Sequence, residues 1–68
     1  MINIWKYADA ENIRIVSTSG NIYTGNVLSI DDAEEMDNAK EDEINIETSD
    51  GKVICLKPSE IQNIEQLQ

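Results

Sequence analysis

Apolar and polar positions alternate along most of the chain, with a period that changes from segment to segment. Ile13 and Ile15 fall on one parity, with Val16 on the other, which predicts a first strand over about 12–18. Ser19-Gly20-Asn21 then supplies turn residues. A longer apolar-rich run over about 21–31 follows, with Ile22, Leu28 and Ile30 on one parity and Tyr23, Gly25 and Val27 on the other. A glycine inside such a run lets a strand bend over its own core, so Gly25 predicts a curled hairpin that can change which face points inward. Ile44 and Ile46 alternate with Asn45 and Glu47, giving a third strand over 43–48. Asp50-Gly51 marks a tight hairpin with two central residues at positive φ. Val53, Ile54, Cys55 and Leu56 form an almost continuous apolar run within a fourth strand over 52–57, the pattern of a strand covered on both sides.

Both ends of the chain are less decided by periodicity. Ile2, Trp5 and Ala8 share one helical face, whereas Ile2 and Ile4 alternate as in a strand. A short helical turn ending near Asp9 is expected, with Trp5 and Tyr7 covering one end of a barrel. Pro58-Ser59-Glu60 forces a turn because proline fixes φ and lacks an amide donor. Beyond it, Ile61, Ile64 and Leu67 sit three apart, so a helix is arguable. Two helical turns alone are marginal, and a helical turn at 58–60 followed by a fifth strand is the expectation. The fold class is therefore mainly β: one strongly bent, five-stranded antiparallel barrel spanning residues 1–68.

Charge changes the picture in one place. The chain carries a net −9, of which residues 31–43 hold eight acids against Lys40, a local balance of −7. Residues 32–42 lack β-branched residues and read as an acidic loop, with transient helix at 33–36. Phosphate attraction supplies most sequence-independent affinity for nucleic acid, so this segment opposes RNA wherever it lies near a binding surface. Lys6, Arg14, Lys52 and Lys57 are spread over several elements and read as solubilising charge. Trp5, Tyr7 and Tyr23 have rings that can stack on bases, although barrel shielding is the expected role of Trp5 and Tyr7.

Size sets a further bound. A domain of 68 residues buries only about 60% of the surface its unfolded chain exposes. Cys55 is the only cysteine and histidine is absent, so neither an internal disulfide nor a His/Cys metal cluster reinforces the core. Self-association is the remaining route. Between apolar neighbours, Cys55 is expected to be packed and unreactive. Asp31, Asp32, Glu34, Glu35 and Asp37 lack the glycine and twelfth-position glutamate of a calcium loop, so a solvated loop is expected and no cofactor or metal. The chain has neither a histidine base nor a nucleophile elbow, which argues against an enzyme. No run of about 18 apolar residues and no basic leader before an apolar block is present, giving the expectation of a cytoplasmic protein away from membranes.

Ile13, Ile15, Gly20, Gly25, Val27, Leu28, Ile30 and Asp31, followed by Val53–Leu56, Ser59-Glu60 and Ile61-x-x-Ile64, resemble the two motifs of the Sm-like (LSm) family. The resemblance covers most of residues 11–67 apart from the acidic insert. It implies a bent five-stranded barrel preceded by a short helix, single-stranded RNA held by two loops, and rings built by pairing the fourth strand of one copy with the fifth of the next. The implied RNA positions are Asp31, Glu35, Ser59 and Glu60. Glu35 stands where the family has asparagine and cannot donate at neutral pH, and Ser59-Glu60 replaces Arg-Gly, removing a bidentate donor. The implied ring contacts are Val53, Ile54, Cys55, Leu56, Ile61 and Ile64. The expected function is a non-catalytic, self-associating binding module in a homo-oligomeric ring. An RNA-binding LSm protein and an acidic adaptor for a basic partner protein are the alternatives.

Overall fold

The structure, a computed structural model, describes residues 2–35 and 40–67. Five strands form one antiparallel sheet: β1 Ile13–Ser17, β2 Ile22–Asp31, β3 Glu43–Thr48, β4 Val53–Leu56 and β5 Ile61–Gln66, in the order β4-β3-β2-β1-β5. Three short 3₁₀ turns accompany them: Ile4–Tyr7 before β1, Ala33–Glu35 between β2 and β3, and Pro58–Glu60 between β4 and β5. The expected elements are all present, within a residue or two at their ends; Met36 and Asp37 of the acidic loop lie outside the described residues. No helix among the described residues is long and apolar enough to cross a membrane.

Isoleucine dominates the interior. Ile13, Ile15, Ile44 and Ile46 are fully buried, joined by Ile4, Val27, Leu56, Ile61 and Ile64 in one cluster. Each such side chain contributes about 1.5–3 kcal/mol relative to exposure. The alternation of Ile13/Ile15 and of Ile44/Ile46 puts each pair on the inner face of its strand, as the period of two demands.

Both hairpins use the same turn. In the first, the Ser17 amide donates to the Asn21 carbonyl at 2.8 Å and the Gly20 amide to the Ser17 carbonyl at 3.0 Å. In the second, the Thr48 amide donates to the Lys52 carbonyl at 2.8 Å and the Gly51 amide to the Thr48 carbonyl at 2.9 Å. Hydroxyls reinforce each closure: Ser17 Oγ accepts from the Asn21 amide at 3.1 Å, and Thr48 Oγ1 from the Lys52 amide at 3.3 Å. Three-residue loops of this kind need one left-handed residue, in third place. Gly20 and Gly51 occupy it, with φ +91° and +85°. Asp50 does not share that conformation, which corrects the expectation of two positive-φ residues at Asp50-Gly51.

At Gly25 the β2 backbone passes close to β3. A Cβ built there would lie 2.0 Å from the Glu47 carbonyl oxygen, so the glycine permits β2 to approach β3. The change of inward face comes later. Register with β3 slips between Val27 and Ser29, leaving Leu28 half exposed between buried Val27 and core-packed Ile30. An extra residue at such a bulge inverts the parity of everything after it.

Two further expectations are overturned. Trp5 is 45% exposed, while Ile4 is buried and Tyr7 packs partly against the core. A 3₁₀ turn has three residues per turn, so Ile4 and Tyr7 share a face and Trp5 cannot join them. In the single chain β4 is covered on one face only: Leu56 is buried and Ile54 half-buried, but Val53 is 56% exposed and Cys55 is exposed as well. The molecule is one sheet with its core on one face, so among the described residues no second layer covers the outward face, and Ile22 and Leu28 on central β2 are exposed in the same way. The sheet remains open, since among the described residues no ladder joins β4 to β5.

Candidate interaction site

Two features are built from the residues singled out above: a polar clasp around the acidic connection, and a pair of free sheet edges. The clasp begins with local capping. Asn3 Oδ1 accepts from the Trp5 amide at 3.2 Å and Asp32 Oδ1 from the Glu34 amide at 2.9 Å, which start the first and second 3₁₀ turns. Short Asn and Asp side chains favour such contacts two residues onward.

Asp42 then ties the two turns together. Its Oδ1 accepts from the Ala33 amide at 2.8 Å and its Oδ2 from the Trp5 indole at 2.6 Å. The Ala33 amide, followed by the Trp5 indole, holds the Asp42 carboxyl below the usual carboxylate range. Both bonds stabilise the ionised form, which is the reason for the direction. Glu41 binds the third turn: its carboxylate accepts from the Ser59 amide at 3.1 Å and from the Ser59 hydroxyl at 2.7 Å. Ala33, Lys40, Glu41, Asp42 and Pro58 line a cleft of about 270 Å³ at this junction.

The four positions named for RNA are thus largely engaged by the chain itself. Asp31, at the end of β2, accepts from Asn45 Nδ2 at 3.0 Å, and the same nitrogen donates to Ser29 Oγ at 3.1 Å. Ser59 is taken by Glu41. Glu60 Oε1 accepts from the Lys57 amide at 2.9 Å. Glu35 closes the second turn, and its side chain lies outside the described residues. Of the outlying bases, Arg14 pairs with Glu65, and Lys52 lies 3.8 Å from Asp50. The Thr48 hydroxyl donates to Asp50 and lowers its carboxyl pKa. Among the described residues no group of three or more acids or cysteines is placed to hold a metal ion.

Glu41, Asp42 and Trp5 were not singled out as a site by sequence. The usable signal was Trp5 itself, since an indole N–H beside a core usually finds an acceptor. Nothing local says which of the chain's acids that acceptor is.

The edges are β4 and β5. In an antiparallel ladder, successive residues turn their backbone groups alternately toward and away from the partner strand. The bonded Thr48–Lys52 pair sets that alternation, so Ile54 and Leu56 bond to β3 while Val53 and Cys55 aim at open space. Lys57 is closed off, its amide taken by the Glu60 carboxylate and its carbonyl by the Glu60 amide at 2.8 Å. Of the six positions named for ring contacts, Val53 and Cys55 therefore present both backbone and side chain outward. Leu56, Ile61 and Ile64 are committed to the core, and Ile54 is half-buried. The expectation that Cys55 is packed inside is corrected. Although the residue is exposed as a whole, partial desolvation raises its thiol pKa, with Glu43 and then Asp31 adding their charge. Comparison of the chain with protein-family models, with curated proteins and with solved structures returns no match.

Proposed function

We propose that the chain is an Sm-like, non-catalytic binding module that associates with copies of itself, β4 of one copy against β5 of the next. One observation carries this reading: among the described residues the sheet ends in two unpaired strands, and the β4 edge adds exposed Val53 and Cys55 to its free backbone groups. Unpaired edges template pairing with another chain unless something blunts them. Head-to-tail pairing of two different edges closes into a ring when the rotation per copy permits. The small core gives the same direction, because association adds buried surface where neither disulfide nor metal does.

RNA recognition is the weaker reading. Ser59 and Glu60, where the resemblance implies a base-binding arginine, serve the chain's own carboxylate and amide. The experiment is light scattering across the micromolar range. A mass several times that of one 7.6 kDa chain is expected; a strict monomer at every concentration overturns the reading.

A further inference from the structure

The β5 edge is not bare. The orientation of its backbone follows from the bonds of β1. The Ser17 amide donates to Asn21 on the β2 side, whereas the Thr18 amide donates to the Glu60 carbonyl at 2.9 Å on the β5 side. Alternation then turns Arg14 and Val16 toward β5, where Glu65 and Asn63 stand opposite them. The Leu67 amide, donating to the Asn12 carbonyl at 2.8 Å, keeps the same phase at the far end. Ile64 and Gln66, between these bonded residues, therefore direct their amides and carbonyls away from β1, to the free edge.

The Tyr7 hydroxyl lies on that edge. It donates to the Ile64 carbonyl at 3.3 Å, longer than the usual 2.7–2.8 Å for a hydroxyl donor. Ile2, Asn3, Lys6 and Tyr7 line, with Asn63 and Ile64, a groove of about 260 Å³ beside it. An incoming strand needs the Ile64 carbonyl for its own amide. We propose that Tyr7 is a displaceable guard on the β5 edge, its hydroxyl occupying the acceptor that a second copy's β4 must take. This inference rests on the edge-to-edge reading above. The guard holds weakly because its bond is long, and it is local because its partner is a single carbonyl. Val53 and Cys55 of a second copy are the occupants, since theirs are the β4 groups left free for pairing.

The test compares the native chain with Tyr7→Phe and Gln66→Pro by sedimentation equilibrium. Tyr7→Phe keeps the ring against the core and deletes only the hydroxyl. Gln66→Pro removes an edge-facing amide without touching a bond to β1, and circular dichroism checks that each variant is folded. Tyr7→Phe is expected to associate about two- to twelvefold more tightly, the span that one net hydrogen bond covers. Gln66→Pro is expected to abolish association. A native chain that stays monomeric overturns the edge reading, and with it the guard that rests on it. Equal association of the native chain and Tyr7→Phe, with Gln66→Pro monomeric, overturns the guard and leaves the edge reading standing. Unchanged association of Gln66→Pro overturns the guard and moves association to another surface. Three monomers overturn both.

Discussion

The isoleucine-lined sheet and the acidic connection are held by opposite kinds of force. In the sheet, Ile13, Ile15, Ile44 and Ile46 are excluded from water and strand spacing is set by steric contact at Gly25. In the connection, Glu41 and Asp42 accept hydrogen bonds from Ser59, Ala33 and Trp5 at or near the surface. The first kind of contact is insensitive to pH and intolerant of volume. The second tolerates volume but depends on charge. Stability therefore resides in the sheet, while the clasp positions the three 3₁₀ turns around it.

Gly25→Ala attacks the sheet hardest. Its new methyl would meet the Glu47 carbonyl oxygen at 2.0 Å, backbone that cannot swing aside like a side chain. A cost above about 4 kcal/mol is expected, against a total of roughly 3–10 kcal/mol for a domain this size. The variant should be largely unfolded by circular dichroism at 25 °C; a cooperative melt close to the native one would show that β2 and β3 can separate freely.

Ile46→Ala comes next. Ile46 is fully buried opposite Val27 and beside Ile54, and truncation of such a side chain costs about 2–5 kcal/mol through lost transfer energy and the cavity left behind. Urea unfolding measures it. A loss under about 1 kcal/mol would mean that the interior is loosely packed.

The clasp should answer to acid with the smallest effect on stability. Trp5 is the only tryptophan, so its fluorescence reports on its bond to Asp42. A carboxyl whose folded pKa is depressed contributes stability above its unfolded pKa and loses it as pH falls through the folded value. The Trp5 signal is therefore expected to hold as pH falls to about 3.9 and to change below it. At neutral pH, Asp42→Ala should shift the emission with little change in melting temperature. Identical emission from Asp42→Ala and the native chain would break the contrast between the two regions.

The strands were legible because their signals are short-ranged. Alternation at Ile13/Ile15 and Ile44/Ile46, the turn glycines Gly20 and Gly51, and Pro58 each act within a few residues. The clasp was not legible: Asp42 meets a tryptophan 37 positions away and Glu41 a serine 18 positions away. The exposure of Cys55 was not legible because an apolar run looks the same on a strand covered on both faces and on one whose outer face meets solvent. Whether a second layer lies over that face, which follows from how all five segments pack, distinguishes the two.

By itself, the amino-acid sequence determined that this chain is mainly β, where each strand runs and turns, and that its acidity is concentrated between β2 and β3. Those properties depend on backbone preference and local composition. Tertiary structure decided that the inward face changes at Leu28, that Ile4 is buried in place of Trp5, and that β4 and β5 are the open edges. Each of these depends on which segments come within contact distance, and contact between distant segments is a property of the folded whole.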